Sequence, residues 1–169
     1  SRLNYCCGFI FHRVLGVNYE LTDSAESFSQ STAFRINYSF SDINDVFRVK
    51  PHLLVTSTSM PARVPEPFFR DSRVCFFANT ENRQGLDFDI FSAVFLMISR
   101  LEEWQDFIPD AHGRFEAEQS ILYKSKAHLR PVVDQWIMEF NLALRRFYPR
   151  LKFPEKKFRI ASTIDIDNL

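Results

Sequence analysis

Two carboxylates near the C-terminal end, Asp165 and Asp167, have the residue type and spacing for metal-assisted or acid–base chemistry. They stand in Phe158-Arg159-Ile160-Ala161-Ser162-Thr163-Ile164-Asp165-Ile166-Asp167-Asn168-Leu169. Its alternation puts Phe158, Ile160, Ser162, Ile164 and Ile166 on one face of an expected strand, and Arg159, Ala161, Thr163, Asp165 and Asp167 on the other. Residues two apart on a strand lie about 6.5 to 7 Å apart, a separation at which one carboxylate holds a metal while the other handles a proton. The pair falls at the C-terminal end of its strand, where parallel α/β folds place their chemistry. The same residues also suit a strand that ends in a solvated turn.

A second group follows an apolar stretch in mid-chain: Glu102, Glu103 and Asp106, then His112 and Arg114. Acidic residues where a buried helix emerges can line a cleft and bind a sugar or a cation, and they are also what a solvated helix end looks like. A third group is basic: Arg145, Arg146, Arg150, Lys152, Lys156, Lys157 and Arg159. It suits an anionic saccharide or, as a plainer reading, a solvated linker or domain-interface face. Phe68 and Phe69 lie in an expected loop and could stack on sugars or anchor that loop. The four histidines, His12, His52, His112 and His128, form no HxH, HxxH or HxxxH spacing, so the three-ligand set of a catalytic zinc is not encoded by histidines here. GxSxG, P-loop and dinucleotide fingerprints are missing as well.

Ser162-Thr163-Ile164-Asp165-Ile166-Asp167-Asn168 resembles the opening motif of the polysaccharide deacetylase (NodB-like) catalytic domain, the Thr-x-Asp-Asp type motif on its first barrel strand. The residues before it resemble the uncharacterised domain that stands N-terminal to such catalytic domains in Bacteroidetes proteins. The matching stretches are Phe88-Asp89-Ile90-Phe91-Ser92-Ala93, Ser99-Arg100-Leu101-Glu102-Glu103, His112-Gly113-Arg114-Phe115 and Arg130-Pro131-Val132-Val133-Asp134-Gln135-Trp136. The resemblance implies that Asp165 is the general base toward a metal-bound water and that Asp167 is a ligand of a divalent metal, zinc or similar. In the common motif the aspartates are adjacent, whereas Ile166 separates them here. It also implies that the polypeptide continues past Leu169 into a C-terminal deacetylase domain carrying histidine ligands. Residues 1–157 are then a noncatalytic accessory domain, with no cofactor of its own, and 158–169 the first strand of the catalytic domain. Two other readings remain open: a carbohydrate-binding module, and a small independent hydrolase built on Glu102, Glu103 and His112, with Arg114 in the binding set.

The elements that must position these groups follow from the hydrophobic pattern. Residues 2–15 read as an amphipathic helix stopped by Gly16, 88–104 as the buried main helix behind an Asp87 cap, and 131–147 as an amphipathic helix with Pro131 in its first turn. Residues 17–22, 33–40, 46–49, 53–56 and 74–78 read as strands, and 57–72, with its prolines, as a loop. The expected fold is therefore a single α+β domain, a mixed sheet of about four to six strands packed with about three main helices. With 169 residues the chain can bury a real core, and 19 phenylalanines make that core aromatic. Equal numbers of acidic and basic residues give zero formal net charge, which argues against a dedicated nucleic-acid binder. No run is apolar and long enough to be a membrane segment. Cys6, Cys7 and Cys75 form no CxxC pair and no closed disulfide set, which points to a reducing, cytoplasmic setting.

Overall fold

The computed structural model describes residues 1–59, 61, 63–79, 86–155, 157 and 160–164. The chain opens with α1 (Arg2–Cys7), which runs on as a π-helix over Gly8–Leu15. Ser1 caps it through its hydroxyl, which accepts from the Asn4 N–H at 3.3 Å. Gly16 ends it in the left-handed region at φ 70°, a conformation glycine adopts without the Cβ penalty. Next come α2 (Ala25–Gln30), β1 (Ile36–Asn37), β2 (Phe47–Arg48), β3 (Phe68–Arg70), β4 (Arg73–Cys75) and α3 (Ile90–Ile98). Two short 3-10 turns, Leu101–Trp104 and Ala117–Gln119, lead to α4 (Ile121–Lys124) and α5 (Val132–Phe147).

The α+β class and the main helices agree with the sequence, but the sheet is smaller than expected. Among the described residues there are two separate two-stranded sheets, β1 parallel to β2 and β3 antiparallel to β4. Residues 33–40 show why alternation misled. Phe34 and Phe40, assigned to the buried face, are 49% and 58% exposed, while Asn37 from the polar face is 3% exposed. The Asn37 amide donates to the Ser41 carbonyl at 2.8 Å and accepts from the Ser39 hydroxyl at 2.7 Å, so a local turn replaces the rest of the strand. Residues 17–22 form no strand with any of the described residues; Tyr19 instead directs its hydroxyl at the carbonyl and side-chain oxygens of Asn4. Residues 53–56 form a turn about Leu53, which sits at φ 71°.

The expected loop 57–72 ends in a hairpin strand, β3, because Pro67 is the last proline before it and a two-residue turn joins it to β4. That turn, Asp71 and Ser72, has φ of 46° and 64°, the doubly positive geometry that matches strand twist in tight hairpins. The main helix also starts later than expected. Ala78 bridges Phe88 and the Asp89 N–H donates to the Phe77 carbonyl at 2.9 Å, so the backbone is extended through the Asp87 position and Asp89 becomes the cap. Arg100 at φ 51° then breaks the helix before residue 104.

One aromatic core joins these pieces. Phe91 meets Phe140 edge-on with centroids 6.0 Å apart, Phe11 lies 5.9 Å from Phe140, and Phe47 packs at 5.8 Å on the same ring. Each buried ring contributes about 1.5–3 kcal/mol. Trp136 is 1% exposed and its indole N–H donates to the Val74 carbonyl at 2.9 Å, tying α5 to the β3–β4 hairpin. Glu139 adds ion pairs to Arg70 and Arg73 across the same junction. The Tyr148 hydroxyl, just past α5, donates to the Arg35 carbonyl at 2.7 Å and accepts from the Phe47 N–H at 3.1 Å, clamping β1 beside β2. Beyond this core, the described residues 160–164 run without strand partners, and Ile160 and Ile164 are 83% and 85% exposed.

Candidate functional site

The end of α3 supplies the first wall of a surface cleft of about 330 Å³. Leu96 and Met97 line it together with Val132 and Val133 of α5, and Arg100, Glu102, Glu103, Arg130 and Asp134 add charged residues to the lining. Glu102 and Glu103 thus do share a cleft, as their sequence position suggested. Both are already engaged. Glu102 accepts from the Ser120 hydroxyl at 2.8 Å and from the Ile121 N–H at 2.7 Å, so it serves the first turn of α4. Glu103 is ion-paired with Arg100.

His112 and Arg114 belong to a different group. Asp110 gathers them: its carboxylate accepts from the backbone N–H of His112 and of Arg114, each at 2.8 Å, and from Arg114 Nε at 3.0 Å. Gly113 at φ 78° completes the tight turn, and Pro109 bridges Phe115 across its base. The N–H of Arg114 and of His112, with the guanidinium, holds the Asp110 carboxyl below its ordinary value. Neither His112 nor Arg114 lines the cleft that holds Glu102 and Glu103. Asp165 and Asp167 lie outside the described residues, so the expected base and metal ligand have no geometry here. Among the described residues, no three or more His, Cys, Asp or Glu side chains come together as a metal site. In the same residues, no helix is long and apolar enough to cross a membrane.

A densely hydrogen-bonded polar residue, Asp89, was not singled out as a site by sequence. Asp89 is 1% exposed, and its Oδ1 accepts from the N–H of Phe91 at 3.0 Å and of Ser92 at 3.2 Å. Its Oδ2 accepts from the Ser92 hydroxyl at 2.6 Å, the Tyr38 hydroxyl at 2.8 Å and the His52 N–H at 2.9 Å. Burial pushes the Asp89 carboxyl above its ordinary value, against the opposing pull of these donors. Burial also pushes the nearby Cys6 thiol up to about 12, and with it Cys7. Thiols held that high keep their protons at neutral pH. The arrangement joins α3 to the chain at Tyr38 and His52 around a carboxylate that is itself buried. Its sequence signal was the Asp89-x-x-Ser92 spacing of a helix cap; the contributions from Tyr38 and His52 have no local signature.

No curated protein and no solved structure matches the chain significantly. Residues 1–149, which include every helix and strand described above, match a family of unknown function, DUF7033, and the chain belongs to that family.

Proposed function

We propose that this domain is a noncatalytic accessory unit that positions the barrel, or the substrate, of a metal-dependent carbohydrate deacetylase joined to its C-terminal side. The observation that carries this reading is a boundary. The family match ends at residue 149 and α5 ends at Phe147, whereas the deacetylase-like residues 162–168 lie wholly beyond both. A unit that closes its own core before that motif begins is what a separate accessory domain requires. All three cysteines are free and buried, which suits the reducing, cytoplasmic setting assigned to it. An independent hydrolase using Glu102, Glu103 and His112 is less well supported, because both glutamates are committed to other groups and the histidine lies in another turn.

The test compares this chain with the longer polypeptide the reading requires, supplied with zinc, cobalt or nickel, for acetate release from N- and O-acetylated oligosaccharides. Release by the longer polypeptide alone, abolished by Asp165→Asn, is the expected result. Acetate release by the 169-residue chain itself would overturn the accessory role.

A further inference from the structure

A second cavity, of about 420 Å³, opens where the β3–β4 hairpin meets the segment after α4. Its lining includes Phe69, Ser72, Ser125, Lys126 and Arg130. Phe69, one of the lining residues, is 60% exposed. Lys126 and Arg130 are both exposed, and among the described residues neither is in an ion pair. The carboxylate nearest in sequence on the hairpin, Asp71, faces Arg73 at 3.7 Å. Arg130 is held at the rim because its Nη1 donates to the Ser72 carbonyl at 2.8 Å.

The backbone makes the lysine's position harder to explain as filler. Lys126 follows α4 at φ 55°, the left-handed position where helices commonly end on glycine. Its N–H donates to the Tyr123 carbonyl and the Ala127 N–H to the Leu122 carbonyl, each at 2.8 Å, so the strained geometry is firmly closed. A long cationic side chain there carries a steric cost that glycine would remove. It adds a second basic residue to a lining that already includes Arg130.

From these features we propose that the cavity binds an acidic sugar residue of a polysaccharide, with the carboxylate on Lys126 and Arg130 and the apolar face of the ring against Phe69. Paired cations recognise the anion, and the exposed phenyl recognises a flat C–H surface. The saccharide identity rests on the accessory-domain reading above; the combination of cations and ring does not.

The experiment is calorimetric titration of the 169-residue chain at low ionic strength with three probes: trigalacturonate, a neutral trisaccharide of N-acetylglucosamine, and inorganic phosphate. Trigalacturonate should bind saturably and more tightly than either of the others, and its affinity should fall as salt is added. Lys126→Gly should weaken that binding about tenfold while raising the unfolding temperature by about 2–4 °C, as relief of a left-handed lysine predicts. Phe69→Ala should weaken binding without a large change in unfolding temperature. No saturable binding of trigalacturonate, or binding unchanged in both variants, would overturn the site. Equal affinity for phosphate with Phe69→Ala silent would overturn it too, reducing the cavity to a bare anion site. Trigalacturonate binding without acetate release from the longer polypeptide would leave this site standing and sink the deacetylase reading. Acetate release without such binding would do the reverse.

Discussion

Asp89 and Glu102 perform the same local task in two different surroundings. Each carboxylate accepts backbone N–H at the start of a helix, Asp89 from two residues of α3 and Glu102 from the first residue of α4. Asp89 is the residue immediately before its helix, is 1% exposed, and is also reached by Tyr38 and His52. Glu102 is half-buried and reaches a helix 19 residues further along the chain. The difference separates a cap that is a fold-wide junction from one that only fastens a short helix to a neighbour. Water can replace the second and not the first.

The largest expected effect therefore falls on Asp89. Asp89→Ala takes the acceptor from the buried donors of Phe91 and Ser92 and from the part-buried Tyr38 hydroxyl and His52 N–H, and should cost about 3–5 kcal/mol in urea unfolding. Asp89→Asn keeps the shape but turns an N–H₂ toward some of those donors, so it should rescue little. A loss near 1 kcal/mol, the ordinary value for a surface cap, would erase the contrast with Glu102.

The same comparison gives a pH dependence. Burial raises the Asp89 carboxyl, so the folded protein keeps that proton to higher pH than the unfolded chain does. Between the ordinary carboxylate value of 3.8 and the raised value, the folded state binds more protons. The residue's contribution thus favours folding at acid pH and declines as pH rises through that window. Subtracting the Asp89→Asn stability profile from that of the unchanged protein isolates this slope. A difference that grows in the protein's favour as pH rises would mean that the donors outweigh burial.

How much of this was legible in the sequence depends on whether the cause is local. The helix pattern of 131–147 and the Gly16 stop depend on neighbours a few residues apart and recur in the structure within a residue or two, whereas the cap of the main helix, read at Asp87, falls two residues later at Asp89 because a backbone bridge to residues 77 and 78 keeps the chain extended. The strands were over-read because alternation assumes a sheet to bury one face. At residues 33–40 the Asn37 turn and the Tyr148 hydroxyl, 113 residues away from its acceptor at Arg35, settle the backbone instead. The candidate site divides in the same way. Glu102 and Glu103 share a cleft because they are adjacent, whereas their separation from His112 follows from Asp110, whose grip on residues 112 and 114 was not read from the sequence. Phe69 was noted as a possible sugar-stacking ring, but Lys126 and Arg130 join it only because the hairpin folds back on the segment after α4.

The smallest effects should appear at Glu102, and they sharpen the contrast. Glu102→Ala removes the acceptor for the Ile121 N–H and the Ser120 hydroxyl, but Ser120 still caps α4 by accepting from the Leu122 N–H at 3.2 Å. The expected cost is about 1 kcal/mol. Ser120→Ala should cost a similar amount, and the two together less than their sum, because each single change already breaks the 2.8 Å bond between them. Ser92→Ala paired with Asp89→Ala forms the corresponding cycle at the buried junction, where the 2.6 Å hydroxyl bond has no water to replace it. Its coupling should exceed that of the Glu102–Ser120 pair by about 1 kcal/mol. Equal couplings in the two cycles would show that the contacts from Tyr38 and His52 do not distinguish Asp89 from an ordinary cap, and that the junction is held by the aromatic core alone.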